Sequence, residues 1–390
     1  MRLLHTSDWH IGRTLHRTSL LEAQATFIDF LLELVVAESI DAVLIAGDLY
    51  DRAIPPTDAV ALFGEALGRL HAAGVPVVAI SGNHDSAERL DFATGLLAPA
   101  GIHLRSSVSR VAEPVVLTDE HGPVAIYAIP YLEPDLRWRA LEAEQPRHAA
   151  VLHAAMTRVR ADLAARSGTR SVVLAHAFVA GSGEVDECDS ERDVSIGGTP
   201  LIPVAVFDGV DYVALGHLHG RQSPAATVTY SGTPIAYSFS EAGHTKSVSI
   251  VDLAADGSVA ITPVPTPVTR RLATVRATLH ELLADPAHAD LEDAFLAVTL
   301  TDAVRPREPM EQLRARFPFV LTLGHEPPAS ARPTGTYTER LANRTDLEIA
   351  LQFVAEMRAT PAHPDEEALL RDAVEQVRVA SESDPATADA

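Results

Sequence analysis

Apolar runs end in candidate metal ligands at five places in this chain. The runs are LLHTSDWH, AVLIAGDLYD, VVAISGNHD, SVVLAHA and YVALGHLHG, and their polar residues are Asp8 and His10; Asp48 and Asp51; Asn83, His84 and Asp85; His176; and His217 and His219. Short apolar runs that stop in this way predict buried strands of a sheet covered on both faces. Open α/β sheets bind ligands at the carboxyl ends of their strands, so we expect these side chains to converge. Oxygen and imidazole donors without thiolate predict a metal site, and their number favours two ions.

Each motif taken alone has an ordinary structural interpretation. An Asp after Gly is common in turns, and GNHD or GHLH could each be a loop closed by a capping His. All five motifs in this order are hard to explain in that way. A carboxylate that bridges two divalent cations, flanked by His and Asn, lets the cations activate water and polarise a phosphate oxygen. The pattern therefore predicts phosphoester hydrolysis, with Asp85 expected to close the loop or support a ligand.

The order of the predicted elements distributes these loops over two sheets. Residues 20–38 carry apolar side chains at helical spacing and predict a helix. A second helix is predicted from a cap at Thr57 to Gly74, followed by a strand from Val75 to Ile80 and a short helix at 86–97. The later runs TVTYSGTP, SVSIVDL and VAITPVP predict a closing meander. Strand–helix repeats followed by strands predict an α/β fold with two facing mixed β-sheets flanked by helices.

Proline-rich segments divide the rest of the chain. Pro263, Pro265 and Pro267 mark a boundary, and a β-α-β-α-β pattern and two amphipathic helices follow it. The predicted domains are a main domain at 1–265, a small α+β capping or DNA-binding domain at 266–325, a Pro-rich linker at 326–344, a helical hairpin at 345–380 and a disordered tail at 381–390. The hairpin carries apolar stripes that include Leu351 and Leu370. Two such helices cannot bury their apolar faces alone, so we expect a partner to dock on them.

Composition limits the classes of protein to be considered. The 390 residues are enough for about two or three domains. No apolar run approaches a membrane span, and the opening residues lack the apolar region of a signal peptide. The single cysteine, Cys188, excludes an internal disulfide and suits a reducing cytoplasm. The net charge of −22 argues against a general nucleic-acid coat protein. It does not exclude DNA at a local site, because bound divalent cations offset acidic ligands.

The ordered motifs D-x-H, GD-x-x-D, GNHD, a lone His and GH-x-H resemble those of the calcineurin-like metallophosphoesterase superfamily. TSDWHIGRTLH, SGNHDSAERL, SERDVSIGGT and YSGTPIAYSFSE resemble the SbcD family, the nuclease subunit of the SbcCD DNA-repair complex. The resemblance extends over the small lobe and the terminal hairpin. It implies a nuclease that hydrolyses phosphodiester bonds in DNA and works as a homodimer with SbcC, an ATPase with long coiled coils. The mixture of oxygen and imidazole ligands favours Mn²⁺ as the metal.

The resemblance also implies a role for each site residue. One metal ion would be held by Asp8, His10 and His219, and the other by Asn83, His176 and His217. Asp48 would bridge the two ions. His84 would act as proton donor and transition-state stabiliser, with the Asp51 carboxylate as the partner that orients its ring.

Several residues keep two interpretations at this point. His176 on its own would be read as a core histidine, and Arg13, His16 and Arg17 as a solvated loop in preference to a DNA clamp. Arg52 would contact phosphate only by analogy with related phosphatases, and Cys188 is expected to be incidental. The helices around 62–70 and 92–97, with Phe63 and Phe92, predict either core packing or a dimer interface. Two alternative functions are a small-molecule phosphodiesterase or phosphatase and a scaffold without metal that holds DNA or SbcC.

Overall fold

The chain folds as two units, Met1–Ala273 and Thr274–Ala390. The computed structural model describes residues 1–181, 187–191, 201–328, 344–358 and 360–382. All of the predicted ligand residues belong to the first unit, and the predicted hairpin belongs to the second.

Six strands form the first sheet of the first unit. In spatial order they are Val259–Pro265, Ser247–Leu253, Arg2–Thr6, Ala42–Ile45, Val77–Ile80 and Ile102–Arg105. The last four run parallel, whereas the first two are antiparallel to their neighbours. Every residue of Ala42–Ile45 and Val77–Ile80 is buried. These runs lack polar alternation because both faces of the sheet are covered.

Six further strands form the second sheet. In spatial order they are Gln222–Ala225, Val228–Tyr230, Tyr212–Gly216, Arg170–His176, Gly122–Ile129 and Val115–Asp119. The four inner strands run parallel to one another. The two edge strands are antiparallel to their neighbours. The sheet is therefore mixed, like the first.

The two sheets face each other across one apolar core. Leu44 and Ile80 of the first sheet pack in the same cluster as Ile126 and Leu174 of the second. The opposite face of the second sheet is covered by the helix His148–Ala164, which buries Met156 and its apolar neighbours. This arrangement buries alternate residues of each inner strand on opposite sides, which explains their continuous hydrophobicity.

Helices and short elements complete the first unit. The main helices are Leu21–Ala37, Thr57–Ala72, Pro134–Leu141 and His148–Ala164, with two short helices at Ala87–Leu90 and Thr94–Leu97. Two-residue strands pair Thr14–Leu15 with Thr18–Ser19 and Val179–Ala180 with Ile202–Pro203. The 3-10 turns are Ala98–Ala100, Val108–Arg110, Val204–Phe207 and Phe239–Glu241. Trp9 is buried between Phe27 and Phe63, one from each of the first two helices, and this packing holds the loop that follows the first strand.

The second unit begins with a small α+β lobe. Its three strands, Leu272–Ala277, Phe295–Leu300 and Val320–His325, form one sheet in that order. The helices Leu279–Ala284 and Pro309–Arg316 and a 3-10 turn at Pro286–Leu291 lie between the strands. Leu282, Leu313 and Phe317 are fully buried and form the core of the lobe. The predicted β-α-β-α-β pattern is thus observed.

Two helices, Asp346–Arg358 and Pro364–Glu382, form the terminal hairpin of the second unit. Leu351 and Leu370 are only half-buried, while Phe353, Met357, Leu369 and Val377 are exposed. Within the described residues, no helix is long and apolar enough to cross a membrane.

The predicted fold class is confirmed, and some local expectations change. The helix predicted at 86–97 is two short helices, because Ala93 adopts a left-handed φ of 62° between them. Phe63 is buried in the core and cannot belong to a dimer surface, whereas Phe92 is exposed. The first unit ends at Ala273, and the proposed domain limits stay predictions. Most of the 326–344 linker and the 383–390 part of the tail lie outside the described residues.

Candidate metal centre

The predicted ligands meet at one edge of the two facing sheets. Asp8 and His10 follow the strand Arg2–Thr6, and Asp48 follows Ala42–Ile45. Asn83 and His84 follow Val77–Ile80; His176 ends Arg170–His176; His217 and His219 follow Tyr212–Gly216. All these strands are parallel within their own sheet, so their carboxyl ends open on the same side.

The backbone of these loops is held in an unusual conformation. Asp8, His10, Asp48 and His217 have φ values of 54°, 43°, 48° and 110°. Side chains other than glycine adopt such values at an energetic cost of about 1–3 kcal/mol each, and they do so mainly at functional sites. Gly82 lies against Asp48 so closely that a Cβ atom there would overlap its carboxylate. Gly82 of the GNHD motif is therefore required by its close approach to Asp48.

Asp8, His10 and His219 form the first group of ligands. A carboxylate oxygen of Asp8 and one ring nitrogen from each histidine lie within 4.8 Å of one another. The two Nε2 atoms are 3.2 Å apart, and Nδ1 of His10 is buried without a hydrogen-bond partner among the described residues. The backbone N–H of His217 donates to both carboxylate oxygens of Asp8 at 3.1 Å, which fixes the orientation of that carboxylate.

His176, Asn83 and Asp48 form the second group. Nδ1 of His176 donates to the carbonyl oxygen of Ala46 at 2.9 Å, because a carbonyl oxygen can only accept. The other ring nitrogen, Nε2, lies 2.9 Å from Oδ1 of Asn83 and 3.5 Å from Oδ2 of Asp48. In neutral His176, Nε2 carries a lone pair that faces two oxygen atoms, which are also acceptors. A cation between these three atoms would satisfy all of them at once.

Asp48 lies between the two groups, as the predicted bridge requires. Its Oδ2 is 3.6 Å from Nε2 of His10 and 3.5 Å from Nε2 of His176. Its Oδ1 accepts the backbone N–H of His84 at 2.9 Å. The ring of His217 packs against that of His176 at 5.4 Å between centroids. Within the described residues, His217 does not join a group of three ligand atoms, although it lies beside one.

The protonation states suit metal binding. Burial lowers the pKa of His10, His176, His217 and His219, so their rings are neutral and offer a lone pair. Burial also raises the pKa of Asp8 well above its usual range, and the charge of Asp48 acts in the same direction. Divalent cations stabilise ionised carboxylates and bind neutral imidazoles. This set of crowded, desolvated donors therefore fits a pair of divalent cations.

His84 is not in the predicted ligand set, although one of its ring nitrogens lies within 4.8 Å of ligand atoms of His10 and Asp48. Its Nδ1 donates to the backbone carbonyl of Asp51 at 2.8 Å, and its ring meets the edge of the His10 ring at 4.7 Å between centroids. The Asp51 carboxylate lies elsewhere, 3.4 Å from the guanidinium of Arg13. Asp51 therefore contacts His84 through its backbone carbonyl, whereas the prediction named its carboxylate.

Hydrogen bonds from outside the ligand set stabilise the loops. The Asp85 carboxylate accepts the backbone N–H groups of Leu49, Tyr50 and Gly82 at 2.9–3.0 Å, closing the loop as expected. The buried amide of Gln24, on the helix Leu21–Ala37, donates to the carbonyl oxygen of His10 at 2.7 Å. The strand-end loops are therefore tied both to each other and to a helix.

The residues that contact His219 from outside the ligand set were not predicted from the sequence. Nδ1 of His219 lies 2.6 Å from the hydroxyl of Ser190, which donates to Glu241 at 2.5 Å. Its backbone N–H donates to Glu191 at 2.6 Å. Burial opposes ionisation of Glu241, but His219 and Lys246 together hold its pKa below the usual range. SERDVSIGGT carries Ser190 and Glu191, YSGTPIAYSFSE carries Glu241, and Lys246 lies outside both segments. No spacing rule connects residues so far apart in the chain.

The basic loop after His10 differs in part from expectation. Arg13 is not solvated: it donates to the backbone oxygen of Ser190 at 2.7 Å and lies over the ring of Tyr237. His16 is exposed and stacks on Phe239, and Arg17 and Arg52 are exposed. Cys188 is buried.

Two family models match this chain. The family model for calcineurin-like phosphoesterases matches residues 1–221, which is more than half of the chain. A second family model, the Type 5 capsule protein repressor C-terminal domain of SbcD proteins, matches residues 268–358.

Among solved structures, TT1561 of Thermus thermophilus is similar at 14% identity and a TM-score of 0.39, covering 67% of this chain and 98% of that one. A β-glucosidase, BglU, from Micrococcus antarcticus is similar at 10% identity and a TM-score of 0.21, covering 83% of each chain. These likenesses are distant, and the assignment rests on the two family models. The chain belongs to the calcineurin-like phosphoesterase family, and its C-terminal match makes it a metallophosphoesterase of the SbcD type.

Proposed function

We propose that this chain is a metal-dependent DNA nuclease that hydrolyses phosphodiester bonds at DNA ends and hairpins, in repair and recombination, as the partner of the ATPase SbcC. The observation that carries the proposal is the position of Asp48 between two ligand groups, with His84 beside them. The match of the C-terminal region to the SbcD domain supports DNA as the substrate over a small phosphoester. The single cysteine supports a cytoplasmic site of action.

The metal ligands are proposed as two sets joined by one bridge. Asp8, His10 and His219 hold one ion, and Asn83, His176 and His217 hold the other, with Asp48 shared. When bound, two divalent cations supply an activated water and polarise the phosphate. Oxygen and imidazole ligands without thiolate favour Mn²⁺ over a structural Zn²⁺.

His84 is proposed as the proton donor to the departing oxygen. Its Nδ1 proton is engaged by the Asp51 carbonyl, so Nε2 is the nitrogen that can exchange a proton with the substrate. Its backbone N–H is bound to Asp48, which keeps the ring next to the ligands. General acid catalysis of this kind typically contributes a factor of about 10²–10⁴.

The hairpin Asp346–Arg358 and Pro364–Glu382 is proposed as the SbcC docking element. It has a groove of about 400 Å³ lined by Leu370, Val374 and Val377. On the other helix of the hairpin, the apolar side chains of Phe353 and Met357 are also exposed. Apolar helix faces of this kind dock on partner helices through anchors at helical spacing.

The homodimer is proposed to form through the short helices Ala87–Leu90 and Thr94–Leu97. Phe92 and Leu96 are 82% and 81% exposed, and large aromatic side chains are enriched in protein interfaces. The helix Thr57–Ala72 stays in the proposed surface without Phe63, which is buried.

The experiment compares two substrates under controlled metal supply. The chelated protein is given linear duplex DNA or a small chromogenic phosphodiester, with Mn²⁺ or with excess EDTA. We expect Mn²⁺ to restore DNA cleavage. Activity on the small ester alone would instead support the small-molecule alternative, and failure to cleave either substrate would support the scaffold without metal. Full cleavage in excess EDTA would contradict a metal-dependent mechanism.

A further inference from the structure

The sole lysine of this chain lies behind the candidate metal centre. Of the 31 basic residues, 30 are arginines and one is Lys246. Lys246 is only 7% exposed, and its ammonium lies 2.5 Å from the carboxylate of Glu241. It also donates to the carbonyl oxygen of His219 at 3.0 Å. A compact ammonium fits such a site, whereas a planar guanidinium with five donors would need more space and more acceptors.

The hydroxyl of Ser190 connects Glu241 to the proposed ligand His219. The side chain of Glu241 is fully buried, and it accepts the hydroxyl proton of Ser190 at 2.5 Å. A hydroxyl has a single proton, so Ser190 must accept from Nδ1 of His219, 2.6 Å away. The Nε2 atom of His219 is therefore the unprotonated nitrogen, and it faces His10 at 3.2 Å.

The two halves of the centre differ in how their histidines are held. His176 donates to a neutral main-chain carbonyl, that of Ala46. His219 instead donates to a hydroxyl backed by a buried ion pair. A charged partner behind a ligating imidazole raises its basicity and fixes its tautomer, and loss of such partners typically costs about 10–100-fold in metal affinity.

We propose that Lys246, Glu241 and Ser190 form a positioning relay that sets the metal affinity of the Asp8–His10–His219 half of the centre. The relay acts through His219 and touches neither substrate nor metal. The inference rests on the proposed ligand sets. It predicts that damage to the relay weakens one metal ion selectively, whereas damage to the fold would weaken both.

The test measures Mn²⁺ binding to the full chain by calorimetry and by electron paramagnetic resonance. Glu241→Gln should weaken one of two bound Mn²⁺ ions by about 10–100-fold and leave the other unchanged. At equimolar Mn²⁺ the variant should then show the spectrum of isolated ions. The matched control is Asp119→Asn, which breaks the partly buried ion pair with Arg170, at the end of the strand Arg170–His176 opposite to His176. It should lower thermal stability without changing either affinity.

A second readout follows the relay itself. Because there is one lysine, ¹⁵N-lysine labelling gives a single side-chain signal, which is visible when the ammonium is buried and hydrogen-bonded. The signal should persist in Asp119→Asn and disappear in Glu241→Gln. If Glu241→Gln does not fold, Ser190→Ala removes only the hydroxyl and should produce the same selective loss of one ion.

The outcomes separate this inference from the proposed function. Unchanged affinities in both relay variants, or equal weakening of both ions, would overturn the relay. Wild-type protein that binds fewer than two Mn²⁺ ions would overturn the ligand assignment on which the relay depends.

Discussion

The metal-binding edge of the first unit and the terminal hairpin of the second differ in which side chains they bury. At the edge, Asp8 and His10 are completely buried: the Asp8 carboxylate accepts the backbone N–H of His217, and Nε2 of His10 lies 3.2 Å from Nε2 of His219. In the hairpin, Leu369 and Val377 are 70% and 69% exposed although they are apolar. In most proteins polar side chains are exposed and apolar side chains are buried. Here the ligands at the sheet edge are polar and buried, and these hairpin side chains are apolar and exposed.

The contrast separates two requirements of the molecule. Buried polar donors that crowd together need cations to offset their desolvation. Exposed apolar helix faces need a second protein surface to remove them from water. Chemistry and partner binding should therefore be separable by mutation.

The largest effect is expected for Asp48→Ala. Asp48 lies 3.5–3.6 Å from a ligand nitrogen in each group, so its loss should release both ions. We expect Mn²⁺-dependent DNA cleavage to fall by about 10³-fold or more, at the upper end of single electrostatic contributions. The number of Mn²⁺ ions bound per chain, measured together with the cleavage rate, shows whether the lost activity results from lost metal. Retention of both ions in the variant would remove Asp48 as the bridge.

A large loss of cleavage with intact metal binding is expected for His84→Ala. Removing a general acid typically costs about 10²–10⁴-fold, and His84 is not in the proposed ligand set. Both Mn²⁺ ions and DNA affinity should be retained. Loss of one ion would make His84 a ligand, and near-normal cleavage would leave it without a catalytic role.

Loss of partner binding alone is expected for Leu369→Glu with Val377→Glu. Both side chains are exposed, so stability should change by no more than about 0.5 kcal/mol per site. SbcC affinity should fall by about 2 kcal/mol or more if these are anchors, measured by co-purification and calorimetry. Val36→Glu, at an apolar helix residue of the first unit that is also exposed, is the control. Unchanged SbcC binding in the double variant would rule out this hairpin face.

Substitutions of Phe92 and Phe63 distinguish an effect on dimer formation from an effect on stability. Phe92→Glu alters an exposed ring and should halve the solution mass while the fold persists. Phe63→Ala removes a ring packed against Trp9 and Tyr50 and should cost about 3–5 kcal/mol of unfolding free energy. A dimer mass that survives Phe92→Glu would count against the proposed surface.

The smallest effect is expected for Asp51→Asn. The contact to His84 comes from the Asp51 carbonyl, which the substitution retains. We therefore expect a loss in cleavage of less than about tenfold, well below that of a lost general acid. A loss as large as that of His84→Ala would return the orienting role to the carboxylate.

The strands that end in ligands and the helices of the hairpin could be predicted from the sequence, because the spacing of apolar residues indicates such elements. The order of these elements then indicated the two sheets. The sequence could not predict which atom of Asp51 meets His84, since that depends on loop conformation. Nor could helical spacing place Phe63, because a wide apolar arc fits a core and an interface equally well. The contacts among Ser190, Glu241 and Lys246 depend on tertiary packing, although the solitary lysine was a signal present in the composition.

The most direct test of the two-ion centre is anomalous diffraction from crystals of the full chain soaked in Mn²⁺. We expect two peaks: one beside Asp8, His10 and His219, and one beside Asn83, His176 and His217, with Asp48 in contact with both. A single peak, or two peaks that do not share Asp48, would contradict it.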